Sequence, residues 1–206
     1  MKRSILLLLA LVFSLSTMGQ EKLYLVFDMM KVDNEQESDY MEVESFWEKI
    51  HEQRMKNGDI IGWDLWRLGP GGENQGFQYM TVNLYDDPVK MMDNSGDFDA
   101  ALKAAYPDMS DEELEKKFGM TPKARDIAVR IFLERIAVTD DDFEMPLGTV
   151  ARINMMKVNQ GDYSKYEKME TEVFMPMHQQ AVENGNLSNW GLLRIMLPTG
   201  SDTYAS

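Results

Sequence analysis

The stretch DMMKVDNEQE at residues 28–37 has an echo in NMMKVNQGDY at residues 154–163. A second echo follows at nearly the same distance, because HEQRMKNGDIIGWDLWR at 51–67 aligns with HQQAVENGNLSNWGLLR at 178–194. The His, Gln, Asn, Gly, Trp, Leu and Arg of this second stretch coincide, which is seven identities in 17 positions. The spacing is longer than any solenoid period, so the sequence predicts a duplicated unit.

Both units are predicted to run from a strand through a helix to a second strand. The first strands are expected at 23–32 and 149–158, the helices at 39–57 and 163–184, and the second strands at 60–68 and 187–197. Each helix ends at an Asn-Gly pair, which is typical of a left-handed helix end. Unit one continues through a GPGG turn at 69–72, a strand at 77–85, helices at 87–106, interrupted near Gly96, and 110–118, and a strand at 127–138. This order predicts a ferredoxin-like βαββαβ unit.

The N-terminus has the pattern of a secretory signal peptide. Lys2 and Arg3 precede an apolar run at 5–15, and small residues precede a cleavage point ahead of Gln20. The run is too short to span a bilayer, which needs roughly 20 residues. A signal anchor is the alternative. We therefore expect a signal peptide at 1–19, a first unit at 20–140, a linker at 141–148 and an incomplete second unit at 149–206.

The composition indicates the cellular location of the protein and excludes some classes of binding partner. The chain contains no cysteine, which excludes disulfides and a bacterial lipoprotein anchor. Its net charge is −14, and such a surface repels nucleic acid and anionic lipid. We expect an exported, periplasmic or secreted protein with no nucleic-acid partner and no membrane contact after signal cleavage.

Alternation along the strands predicts two different sheet faces. In the first strand the purely apolar set, expected to face the helices, is Leu25, Phe27 and Met29, and the mixed set is Val26, Asp28 and Met30. In the second strands the mixed face carries Trp63, Leu65 and Arg67 in unit one and Trp190, Leu192 and Arg194 in unit two. Because a face that carries tryptophan suits burial, we expect the two mixed faces to pack against each other.

The paired units and their second strands, GWDLWR at 62–67 and NWGLLR at 189–194, resemble the dimeric α/β-barrel superfamily, with its stress-responsive barrel, EthD-like and NIPSNAP-like members. The resemblance implies an α+β fold in which tandem ferredoxin-like units form a pseudo-dimeric α/β barrel. The alignment places Phe77 over Tyr204, so the second unit lacks a counterpart of the third strand. We expect either a truncated copy of a longer protein or a strand supplied by another chain.

The mixed faces would line the space between the two sheets. Their polar and aromatic members, which are the predicted ligand-binding residues, are Asp28, Trp63, Arg67, Tyr79, Asn83, Arg130, Glu134, Arg152, Asn154, Trp190 and Arg194. Arginines beside tryptophans could hold the carboxylate of an otherwise apolar ligand. In the alternative, Arg67 and Arg194 pair internally with Asp28 or Glu134 and serve only the structure.

His51 and His178 occupy the same helical position in the two units. They are candidate proton acceptors, but the favoured interpretation is a helix-end histidine that packs or caps. No Cys and no paired histidine spacing supplies a second ligand, so neither a metal site nor a cofactor is predicted. Haem degraders of the resembled superfamily use a histidine on the second helix, whereas both histidines here lie on the first.

Three functions follow from these patterns. The leading hypothesis is an exported protein that binds a small apolar or carboxylate-bearing molecule between its sheets without turnover. The alternatives are a cofactor-independent monooxygenase or isomerase that uses a helix histidine, and a structural or partner-binding barrel whose interior is filled. Whether the protein is an enzyme stays open, and a homodimer is compatible with each function.

Overall fold

The computed structural model describes residues 22–69, 75–93, 96–159 and 161–199. The predicted signal peptide at 1–19 and most of the predicted turn at 69–72 lie outside these residues. The described chain is an α+β fold with a five-stranded antiparallel sheet in the order β2-β3-β1-β4-β5. In the described ranges, no helix has both the length and the apolar character needed to cross a bilayer.

The first unit has the predicted order of elements. Its strands are β1 (Tyr24–Lys31), β2 (Gly62–Arg67), β3 (Tyr79–Tyr85) and β4 (Asp126–Val138), and its long helix is α1 (Glu37–Asn57), which follows a 3-10 turn at Asn34–Gln36. β1 lies at the centre with β3 on one edge and β4 on the other, and β2 pairs with β3. This arrangement is compatible with a ferredoxin-like fold.

Three shorter helices complete the first unit: α2 (Pro88–Asp93), α3 (Phe98–Ala105) and α4 (Asp111–Ala124). The predicted capping box is confirmed, since Ser110 and Glu113 bond reciprocally at the start of α4. The predicted end of this helix at 118 is wrong, because α4 continues through Pro122 to Ala124. Met120 and Ala124 pack against the cluster beneath α1, and this burial outweighs the helix-breaking tendency of a proline in the last turn.

The second unit departs from the prediction in its first strand. Residues 149–158 have no regular secondary structure. β5 (Gly191–Leu197) pairs antiparallel with β4 in the same sheet, with Glu134 opposite Arg194, instead of starting a second sheet. The edge of β4 offers unpaired backbone groups that β5 satisfies, whereas the 149–158 segment has no strand beside it in the described structure.

The second unit's helical stretch is divided into α5 (Tyr163–Met169), a π-helical turn at Glu170–Phe174 and α6 (Met175–Glu183). The π-turn lies directly before Pro176, where the wider winding accommodates a residue that has no backbone N–H to donate. The predicted Asn-Gly helix ends are confirmed, because Gly58 after α1 has φ 75° and Gly185 after α6 has φ 71°.

The prediction of which sheet face the helices cover is wrong. The mixed set lies beneath α1, where Met30 and Tyr79 cluster with Tyr40 and Val43 of the helix. The apolar set lies on the opposite face in a cluster made of Leu25, Phe27, Met29, Met80, Val82, Ile131 and Leu133, which we call the apolar face. The inward side of α1 is itself partly polar, so a mixed sheet face is its proper complement.

Two glycine substitutions provide an internal test of this backbone. Ala at Gly58 should lower the free energy of unfolding by about 1 kcal/mol, because the left-handed conformation disfavours a Cβ. Ala at Gly119, inside α4, should raise it by about 1 kcal/mol. A new Cβ meets no atom within 4 Å at either site, so the two effects report backbone conformation alone. Urea unfolding of both variants checks the opposite signs; equal signs would contradict the assigned helix end.

Candidate functional site

The polar side chains of the sheet are brought together beneath α1. Asn83 on β3 is flanked by Trp63 on β2 and Val26 on β1, so these three form one row across the sheet. The ring of His51, on α1, stacks on Trp63 with centroids 5.3 Å apart and an interplanar angle of 18°. The ring of Trp47 also packs near this imidazole, with ring centroids 5.9 Å apart. We call the group made by His51, Trp63 and Asn83, in which Trp63 is the shared neighbour, the niche.

His51 is held in its neutral form. The residue is 8% exposed, and Nη1 of Arg54 lies 3.4 Å from its Nδ1. Burial, followed by the charges of Arg54 and Arg125, lowers the pKa of His51 to about 3. Since the guanidinium can only donate, Nδ1 is the acceptor and the ring proton lies on Nε2. Such a weakly basic imidazole is a poor proton acceptor near neutral pH.

Asn83 carries an unsatisfied acceptor in the niche. Its Oδ1 atom is buried and no described donor reaches it. Its row neighbours Val26 and Trp63 belong to a mainly aromatic and aliphatic cluster, whose members are Tyr24, Val26, Ile60, Tyr85 and Met91, with Trp63, Phe132 and Met196 partly buried at its edge. A lone carbonyl oxygen in apolar surroundings costs free energy, so the niche suits a molecule that brings a donor.

Three of the predicted arginines are already paired with carboxylates. Arg130 bonds Asp28 in a two-pronged contact of 2.5 and 2.9 Å. Arg194 makes a similar contact with Glu167, at 2.6 and 2.7 Å, and reaches Glu134 at 3.1 Å.

Arg67 lies 3.9 Å from Glu37. The alternative of internal pairing therefore holds for Arg194 and Glu134, whereas Arg67 pairs with Glu37 instead of Asp28 or Glu134.

The remaining predicted residues divide between ordered and exposed positions. The Tyr79 hydroxyl donates to Glu37, and burial together with that bond raises the pKa of Tyr79 to about 12. Trp190 stacks on His178 at 4.9 Å and 14°, which repeats the contact of His51 with Trp63. Arg152 and Asn154 are exposed on the irregular segment at residues 149–158. They belong neither to the niche nor to the ion pairs described above.

Several buried polar residues of α1 and of the segment after α4 were not among the predicted site residues. Glu44 is 3% exposed and forms an ion pair of 2.9 Å with Arg125. Burial raises the pKa of Glu44, and Arg125 opposes that shift. Burial raises the pKa of Tyr40 as well, and the charge of Glu44 adds to it. Tyr40, Glu44 and His51 recur at helical spacing, which is the signal that could have identified this polar stripe.

In the described ranges, no group of three or more His, Cys, Asp or Glu side chains could hold a metal ion. No protein-family model matches the chain. No curated protein matches it either. Among solved structures, the crystal structure of HapK from Hahella chejuensis is similar with a TM-score of 0.31 and 11% identity, over 64% of this chain and 99% of that chain.

The buried imidazole predicts a specific pH dependence. In the unfolded chain His51 has an ordinary pKa near 6.5, so below that pH the unfolded state binds the proton more readily and the fold loses stability down to about pH 3. Between pH 7.5 and pH 5 this contribution should amount to about 2 kcal/mol. A His51→Phe variant, which keeps the aromatic stack, should lose that part of the pH dependence.

Urea unfolding of the parent protein and of the His51→Phe variant, each at pH 7.5 and at pH 5, measures how the free energy of unfolding changes with pH. Resolved NMR titration of the His51 ring is the independent check, and a midpoint close to 6.5 would contradict the buried position.

Proposed function

We propose that the protein is an exported one that binds a small, partly apolar molecule in the niche between α1 and the sheet, without chemical turnover. The observation that carries the proposal is the buried, unpaired Oδ1 of Asn83 beside the partly exposed ring of Trp63. A ligand with a flat apolar body could lie against the indole and donate an N–H or O–H to the amide oxygen.

The unpaired oxygen of Asn83 favours binding of such a ligand. A buried acceptor without a partner costs about 1–3 kcal/mol, and a ligand that donates to it recovers much of that cost. Aromatic contact with Trp63 adds attraction that depends on ligand shape. Together these terms indicate a neutral ligand that has at least one donor.

A carboxylate-bearing ligand is less well supported than the sequence pattern suggested. Arg130 and Arg194 already have carboxylate partners at short range, and Arg67 lies near Glu37. Binding a carboxylate would require one of these pairs to open and leave a protein carboxylate uncompensated. A neutral hydrogen-bond donor avoids that cost.

Binding without turnover is favoured over the enzyme alternative by the state of His51. Its imidazole is packed between Trp47 and Trp63, and its pKa of about 3 makes it a weak base. A general base works best when its pKa lies near the working pH. His51 is therefore better suited to supporting Trp63 than to accepting a proton from a substrate.

We also propose that the chain forms a tandem, pseudo-dimeric α/β barrel. Three local features recur in the two units and support this architecture. These are the His–Trp stack, the left-handed glycine after the helix, and an arginine on the second strand that pairs with a helix glutamate. The position of β5 beside β4 is one seam of such a barrel.

A structural role for the apolar face has its own support. Its seven core members are 3–8% exposed, which supports a packed interior on this side of the sheet. A filled interior and a separate ligand niche are compatible, because they lie on opposite faces of one sheet.

Replacing Asn83 with Leu tests the niche. The variant removes the unpaired oxygen at similar size, so the ligand-free protein should become more stable by about 1 kcal/mol, with a melting temperature higher by about 2–4 °C. The same variant should lose at least tenfold in affinity for neutral aromatic donors such as indole or phenol. Calorimetric melting and titration measure the two effects.

Asn154→Leu is the matched control. Asn154 is exposed and is distant in sequence from the three niche residues. It should change neither quantity. A less stable Asn83→Leu variant, or unchanged binding of the aromatic probes, would refute the assignment of the niche as a ligand site.

A further inference from the structure

The two histidines that align in the repeat have different neighbours one helical turn further along. In unit one, Nη1 of Arg54 lies 3.4 Å from Nδ1 of His51. The alignment places Ala181 at the position of Arg54, so His178 has no guanidinium beside it at that position. Among the described residues, none forms a hydrogen bond with the ring nitrogens of His178. The imidazole of His178 is therefore free to offer a nitrogen to a ligand that enters from solvent.

A thioether lies next to this imidazole. Met175 is three positions before His178 in α6, at the place where unit one has Glu48. Residues three apart lie on the same side of a helix, with Cβ atoms about 5–6 Å apart. A methionine side chain is unbranched and flexible, so Sδ of Met175 can approach the edge of the ring. Both side chains are only partly buried, which leaves them accessible to a dissolved ion.

Two contacts fix the helical segment that carries these donors against β5. The ring of His178 stacks on Trp190, with centroids 4.9 Å apart and an interplanar angle of 14°. Nearer the start of the segment, Glu167 accepts two hydrogen bonds from Arg194, at 2.6 and 2.7 Å. Met175 lies between these two contacts in the chain, on the side of α6 that carries His178. The sulfur and the imidazole are thus held on one anchored side of the helix.

We propose that Met175 and His178 bind a soft monovalent metal ion of the Cu(I) or Ag(I) type beside Trp190. Thioether sulfur and imidazole nitrogen suit Cu(I), whereas Mg²⁺, Ca²⁺ and Mn²⁺ prefer oxygen ligands. The net charge of −14 attracts cations to the chain as a whole. No metal site was predicted from the sequence, because only cysteine and paired histidines were considered as ligands. The site lies in unit two and does not depend on the niche.

Ag(I) is the probe, because it has the ligand preference of Cu(I) and is stable in air. Titrated into the full chain, it should bind with a stoichiometry of a single ion per chain and shift the ring resonances of His178 in NMR spectra. The ring of His51 should not shift, because it is buried and lies beside Arg54. The two rings can be told apart, since the low pKa of His51, about 3, keeps that ring from titrating near neutral pH.

Three variants locate the ligands by calorimetric titration with Ag(I). Met175→Leu keeps the size of the side chain and removes the sulfur, and His178→Phe keeps an aromatic ring against Trp190. Each should weaken binding at least tenfold, with the ligand-free melting temperature unchanged. Met177→Leu is the matched control, because Met177 is 61% exposed and does not share a helix side with Met175 or His178. It should bind Ag(I) as the parent does.

Selectivity completes the test. Zn²⁺, which prefers thiolate, imidazole and carboxylate ligands, should bind at least a hundredfold more weakly than Ag(I). The site is overturned if Ag(I) shifts the ring of His51 and not that of His178, or if Met175→Leu binds as tightly as the parent. It is equally overturned if Met177→Leu loses as much affinity as Met175→Leu, or if Zn²⁺ binds as tightly as Ag(I).

Discussion

The fold depends on the central position of β1, whose two edges are paired and whose two faces are buried. Every second side chain of this strand enters the layer beneath α1, and Asp28 does so at 5% exposure. A carboxylate at such a position must be compensated, and Arg130 on the neighbouring strand supplies two hydrogen bonds. The layer between helix and sheet is consequently polar, and α1 contributes Glu44, His51 and Arg54 to it.

Local features of the fold could be predicted from the sequence, but the position of this polar layer could not. The left-handed glycines after α1 and α6 and the capping box follow from local chemistry and were correctly predicted, as was the order of elements in unit one, whereas the end of α4 was not. Alternation shows which residues share a face, but it does not show which face a helix covers. The decisive information lay in α1, whose inward stripe contains Tyr40, Glu44 and His51; it matches the mixed face and not the apolar one.

The second unit shows a different limit of sequence-based prediction. Residues 149–158 have strand-like composition, yet a strand also needs a neighbour, and the described structure offers none on which they pair. β5 has the same type of sequence and becomes a strand because the edge of β4 is available. Residue types therefore identified both segments as β-rich, while long-range pairing decided which of them joined the sheet. Similarly, the repeat aligned both histidines and both tryptophans, but it did not show that each histidine stacks on its tryptophan or what surrounds the stack.

Those surroundings differ because the two copies have different helical cover. In unit one, α3 and α4 pack on α1 through a cluster that includes Phe46, Ile50 and Ala101. His51 is 8% exposed and stacks between Trp47 and Trp63. In the described part of unit two no comparable layer covers α5 and α6, and Val173 and Met177 are more than half exposed. The same local motif is thus buried in one copy and partly exposed in the other. Residues that repeat in the sequence therefore differ in solvation, because the elements packed around each copy differ.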